Sequence, residues 1–273
     1  MPTPAESHQQ QDERTEPAQA YPCRRVERRE HLTEVLLLLG LSLGSSAIYA
    51  VLSLTERLTR HVALDKQTSH LNSSVTPDRP WLDLAYQLAG VGLGVVAPAM
   101  AVFLLRHRRP PEDPRVGVDR SQPLRDLARG AGLAALIGIP GLGLYLVGRQ
   151  LGITTQVAAA NLGQTWWAIP VLCLSALQNA LLEEVVVVAY LLTRLRQAGV
   201  PDRAALMVSA VLRGSYHLYQ GIGPFFGNVV MGVVLGLAYR RWGRVLPLVV
   251  AHTILDVVAF VGYALLRGHL GWL

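Results

Sequence analysis

Apolar residues in this chain fall into long uninterrupted blocks separated by short polar, arginine-bearing segments, not into the i, i+3, i+4 spacing of a surface helix. Seven blocks predict membrane helices: about 33–54, 82–105, 130–148, 167–193, 204–221, 225–239 and 245–266. The sixth is short and follows Gly221-Ile222-Gly223-Pro224, which predicts a tilted, broken or partly re-entrant segment. The expected fold is an all-α polytopic transmembrane helix bundle of about seven to eight membrane helices. Its expected divisions are a disordered cytoplasmic tail over 1–30, N-terminal transmembrane helices over 31–148 and a C-terminal core over 149–273.

Composition agrees with that class, at 51% hydrophobic and 16% charged residues with a mean hydropathy of +0.31. A net charge of +6 and a pI near 9.7 raise the question of a nucleic-acid partner. The arginines lie between apolar blocks, without a basic stripe interleaved with aromatics, so no nucleic acid is expected and positive-inside topology accounts for them. Arg106, Arg108, Arg109, Arg115, Arg120, Arg125 and Arg129 mark one cytoplasmic loop. The tail, with Arg24, Arg25, Arg28 and Arg29, falls on the same side, as do the connections bearing Arg194, Arg196 and Arg203 and bearing Arg240, Arg241 and Arg244. The expected protein sits in the cytoplasmic membrane with its N-terminus cytoplasmic and its C-terminus outward. Trp81, Trp166 and Trp167 read as interfacial anchors, and Gly138, Gly141 and Gly143 as close-packing positions. Cys23 and Cys173 lie too differently to form a disulfide framework or a thiolate metal site.

Within the oily blocks a few polar residues stand out. Glu183-Glu184 sits between Leu181-Leu182 and four valines. Each ionised carboxylate costs about 2.5–3.5 kcal/mol at the centre of a membrane helix, so a tandem pair is a candidate functional site. Arg213 and His217 are four residues apart, as are His252 and Asp256, and that spacing puts each pair on one helix face. At ~1.5 Å per residue from the nearest cytoplasmic arginine, Glu184, His252 and His217 lie roughly 15, 12 and 21 Å deep, all inside the hydrocarbon layer. Asn228 offers a further polar group or a helix cap.

These residue types leave three chemistries open. A carboxylate and a neutral imidazole facing one water can take its proton and steady the oxyanion that forms on an amide carbonyl. Glu183, His217, His252 and Asp256 also make a donor set for a divalent metal such as zinc. Proton relay in a transporter uses the same groups, although a transporter should show two inverted halves and the polar residues here occupy one half only.

The order of the three motifs resembles the CPBP family of intramembrane proteases, the CAAX-prenyl-protease and bacteriocin-processing enzymes also called Abi. The resemblance spans roughly Trp166 to Val261 and rests on a Glu-Glu helix, a histidine-bearing helix about thirty residues later and a final His-x-x-x-Asp helix. It implies an endopeptidase acting on membrane-associated or lipidated peptides near the cytoplasmic side. Glu183 would activate water, His217 would be its partner, Glu184 would support the site, and His252 and Asp256 would position groups or stabilise the oxyanion. The family pattern is Glu-Glu-x-x-x-Arg and Phe-x-x-x-His, and this chain departs from it at Val188 and Arg213. The lost and gained charges compensate if Arg213 reaches Glu184 from the neighbouring helix. A non-catalytic immunity or scaffold protein of the same fold is the alternative.

Overall fold

The computed structural model describes residues 20–107, 117–119, 121–267 and 269. Helix α1 (Ala20–Gly40) begins ten residues before the expected end of the tail. Residues 1–19 lie outside the described residues, as do Arg108, Arg109, Arg115 and Arg120 of the expected cytoplasmic loop. Helix α2 (Leu43–Thr59) continues α1 after a bend of 53°. At that joint the Ser42 hydroxyl donates to the Leu38 carbonyl at 2.7 Å.

Helices α3 (Pro80–Gly94) and α4 (Val96–His107) make one 28-residue span. The break falls at Val95, three residues before Pro98, whose ring excludes the carbonyl of Gly94 at i−4 and which has no amide to offer. Helix α5 (Pro123–Gln150) also starts on a proline, tolerated where first-turn amides have no helical partner. Helix α6 (Ala168–Leu181) runs through a nine-residue π-helix, Leu182–Tyr190, into α7 (Leu191–Gln197). Then come α8 (Asp202–Ser215), α9 (Ile222–Trp242) and α10 (Leu246–Leu266).

Among the described residues five helical spans, or six if the bent pair is one span, are long and apolar enough to cross a membrane. The chain is a multi-pass membrane protein with an all-α helix-bundle fold. The expected fifth span, 204–221, is corrected: α8 has 14 residues, roughly 21 Å of helix, and does not cross alone. It still carries the chain between the two ends of the bundle. At one end Asp202 pairs with Arg240 at 2.8 Å, and at the other the backbone of Gly221 bridges to Thr154. The sixth span is corrected in the opposite sense. It is an unbroken 21-residue helix, because Pro224 falls in its first turn.

The rod formed by α6, the π-helix and α7 is the centre of the bundle. In its most apolar stretch 61% of residues are buried, against 17–28% in the other spans. The outer helices turn Leu37, Leu41, Leu93, Ile139 and Val258 outward, as bilayer contact requires. Helices α5 and α10 pack closely at Gly130 and Gly138, where a Cβ would strike Val250 and Leu255. Gly141 and Gly143 face open space and are not packing positions. Trp81 and Trp166 are exposed and meet edge to face at 6.3 Å, consistent with anchoring, whereas Trp167 is 3% exposed and belongs to the core. Cys173 is a free thiol, and the side chain of Cys23 lies outside the described residues.

One end of the bundle carries a small cap absent from the sequence expectation. Strands β1 (Thr68–His70) and β2 (Gln156–Ala158) pair in parallel, Ser69 opposite Val157. They join the two polar loops that follow α2 and α5. The opposite end is held by Arg244, which binds Asp126 and Asp119.

Candidate active site

The π-helix sets the geometry of the two glutamates. The Leu191 amide reaches back five residues to the Val186 carbonyl, the step of a wide turn, through a run of four buried β-branched valines that crowd an ordinary α-turn. Ser209 of α8 donates its hydroxyl to the Val187 carbonyl at 2.7 Å, tying the wide turn to its neighbour. More residues per turn means a smaller angle between successive side chains. Glu183 and Glu184 therefore both reach Arg213 of α8.

The expected cross-helix pair is present. Arg213 Nη2 donates to Glu184 Oε1 at 2.5 Å, and Nη1 lies 3.3 Å from Glu183 Oε2. The positive charge missing at Val188, itself fully buried among apolar neighbours, is thus delivered from α8. His252 Nδ1 is 2.7 Å from Glu184 Oε1, and its Nε2 is 3.6 Å from Asp256 Oδ1. Asn179, one helical turn before Glu183, donates from Nδ2 toward Asp256 Oδ2 at 3.5 Å.

His217 is not on the α8 face expected from its spacing to Arg213. Helix α8 ends at Ser215, and His217 stands in the turn that follows, its amide bonded to the Gly214 carbonyl at 3.0 Å. From there Nε2 lies 3.8 Å from Glu183 Oε2, and both ring nitrogens are buried without a hydrogen-bond partner. The same turn brings in Tyr216, whose hydroxyl donates to Glu183 Oε2 at 2.8 Å. Sequence reasoning missed Tyr216 because consecutive helical residues do not share a face. It missed Asn179 although the i, i+4 spacing to Glu183 was a usable signal.

The structure thus brings together Glu183, Glu184, Arg213, His217, His252 and Asp256. It leaves out Asn228, whose Nδ2 donates to the Pro224 carbonyl of its own helix at 3.0 Å. The two glutamates differ in kind. Each keeps one oxygen outside the hydrogen bonds described, but Glu184 is fully buried between Arg213 and His252, whereas the Glu183 side chain keeps 11% exposure. Among the described residues no three His, Cys, Asp or Glu side chains come together as a metal-holding group. Glu184 Oε1 and Glu183 Oε2 face the Arg213 guanidinium, and no step below passes through a metal.

A buried carboxylate–imidazole–guanidinium cluster at the centre of a transmembrane helix bundle has the groups that membrane-embedded hydrolysis or proton handling would need. Residues 165–258 match the family model described as Rce1-like, type II CAAX prenyl endopeptidase Rce1-like. The match is to the CAAX-protease family that the motifs resemble. It starts just before α6, ends two residues beyond Asp256, and contains every residue of the cluster. At the level of class it supports a peptidase working at the bilayer on membrane-associated substrates. No curated protein matches the chain, and no solved structure does.

Proposed function

We propose that this protein is an intramembrane endopeptidase of the CAAX-protease type, hydrolysing peptide bonds of membrane-associated or lipidated peptides with water activated by Glu183. The observation that carries the reading is the asymmetry of the site. Glu183 is the glutamate that keeps exposure, and its free oxygen lies beside an imidazole whose two nitrogens have no hydrogen-bond partner, whereas the free oxygen of Glu184 is fully buried. Glu184, Arg213, His252 and Asp256 form a bonded frame behind them.

In this reading Glu183 takes a proton from water as the oxygen attacks the amide carbonyl, and the Nε2–H of His217 donates to the oxyanion. Collapse of the tetrahedral intermediate breaks the C–N bond. The proton held by Glu183 passes to the departing amine, so one water is consumed and an acid and an amine result. Tyr216 and Arg213 hold Glu183 Oε2, which leaves Oε1 for the water. By the positive-inside rule the Arg244 end, and the N-terminus, would face the cytoplasm.

The test is cleavage of a quenched fluorescent peptide library, lipidated and unlipidated, by detergent-purified protein. Glu183→Gln and His217→Ala are each expected to lower kcat by about 10²–10⁴-fold without lowering the melting temperature, and a chelator is expected to change nothing. Activity surviving both substitutions would sink the mechanism. No cleavage by a folded wild type, across the library, would favour the non-catalytic member of the fold.

A further inference from the structure

The site depends on a turn, and that turn is held from outside the stretch matched to the family. His217 stands at the head of a short 3-10 turn, Leu218–Gln220, which ends at Gly221. Gly221 has φ +114, and a Cβ there would lie 2.6 Å from the Ile153 carbonyl oxygen. Only glycine permits this approach. The turn is then sewn to the loop before β2: Thr155 N donates to the Gln220 carbonyl at 2.9 Å, and Gly223 N donates to the Ile153 carbonyl at 3.1 Å.

Two fully buried hydroxyls complete the seam. Ser69 Oγ lies 2.9 Å from the Tyr219 carbonyl, Thr155 Oγ1 lies 3.0 Å from the Gln220 carbonyl, and the two hydroxyls are 2.8 Å apart. Two protons serve three contacts. Whichever way they are shared, the chain of donors ends on a carbonyl of the turn. The Gln220 carbonyl can take the Thr155 hydroxyl in addition to the Thr155 amide, and the Tyr219 carbonyl can take Ser69, so losing a hydroxyl removes a hydrogen bond from the turn and weakens the hold on one conformation of residues 217–221.

We propose that Ser69 and Thr155 are positioning residues, their hydroxyls fixing the turn that presents His217 to Glu183. The catalytic consequence rests on the peptidase reading above, whereas the positioning itself does not. Ser69, in β1, and Thr155, just before β2, both lie outside 165–258, so the part of the chain matched to the family is not sufficient to set its own site.

The test uses the full-length protein in detergent, with Ser69→Ala, the near-isosteric Thr155→Val, and the double variant. Two quantities are read: the rate at which diethylpyrocarbonate modifies His217, mapped by mass spectrometry, and kcat and KM separately on a peptide that the wild type cleaves. Loss of each hydroxyl should speed labelling of His217 by about fivefold. The double variant should lose about tenfold in kcat with KM little changed, and Thr155→Ser should restore both readouts. Labelling that stays at the wild-type rate in Thr155→Val and Ser69→Ala overturns the inference whatever the rates do. Faster labelling with kcat unaltered overturns it too, since the turn would then be free to move without consequence. Faster labelling in a protein whose wild type cleaves no peptide supports the positioning and removes the peptidase reading instead.

Discussion

Arg244 and Arg213 are both buried arginines facing two carboxylates, and they differ in how completely they are bonded. Arg244 gives Nε and Nη2 to Asp126 at 2.9 and 2.7 Å, Nη1 to Asp119 and Ser121 at 3.1 Å each, and Nη2 again to the Asp119 carbonyl at 2.9 Å. All three of its nitrogens are used. Arg213 lies deeper, yet its Nε and Nη1 have no hydrogen bond, and neither do Glu184 Oε2 or the two nitrogens of His217. Native interiors pair nearly all their buried polar atoms, so a cluster of exceptions calls for an explanation. The Arg244 clamp is saturated because its task is to hold two segments together. The Arg213 cluster keeps unused donors and acceptors beside Glu183, which is where the proposed mechanism would handle substrate and water.

The contrast is broken most severely at Arg213. Replacing it with Met leaves two carboxylates facing each other without a counter-charge. Loss of one partner from a buried ion pair costs about 3–5 kcal/mol, so Arg213→Met should unfold at far lower temperature in detergent and lose activity with it. Arg213→Glu combined with Glu184→Arg returns one charge of each sign to the site. Its melting temperature should exceed that of either single variant. A double variant no better than the worse single one would mean that the pair does not hold α8 to the π-helix.

The clamp should respond in stability alone. Asp126→Asn removes a charged acceptor from the saturated Arg244 network, worth about 1.5–3 kcal/mol for hydrogen bonds to a charged group. No bond among the described residues links this clamp to Glu183 or His217. The expected outcome is a lower melting temperature with kcat unaltered. A fall in kcat that tracks the fall in stability would show that the two clusters are coupled, and that the difference in bonding does not separate structural from functional charge.

How far the sequence leads is visible in the same residues. Apolar block length located the long helices, because a bilayer leaves few alternatives to a helix. It misjudged 204–221, where the apolar pattern runs on through Leu218 although the helix ends at Ser215. The i, i+4 spacing put His252 and Asp256 together correctly, since both lie inside one regular helix. Charge bookkeeping between Val188 and Arg213 led to the Arg213–Glu184 pair, because an unpaired buried charge must be compensated somewhere. Tyr216 escaped for want of a helix to carry the periodicity. The π-helix escaped because no hydrophobic period announces one wide turn. Ser69 and Tyr219 are 150 residues apart, and only the fold brings that hydroxyl to that carbonyl.

The smallest effect separates the two ends of the clamp itself. Asp119 sits outside the membrane spans, its carboxyl held down at about 2 by the Ser121 hydroxyl, then by the Ser121 amide and the Arg244 guanidinium. An unfolded aspartate titrates near ~3.9, so the folded form binds its proton less readily than the unfolded chain. Stability from this group is therefore complete above about pH 4 and drains away as the pH falls through 2. The melting temperatures of wild type and Asp119→Asn should differ by a small constant amount from neutrality down to about pH 4. The gap should then narrow as the pH falls through 2 and close below it, where both side chains are uncharged. A gap that persists well below pH 2 would mean that the contribution of Asp119 lies in its carbonyl bond to Arg244 and the shape of the loop, not in its charge.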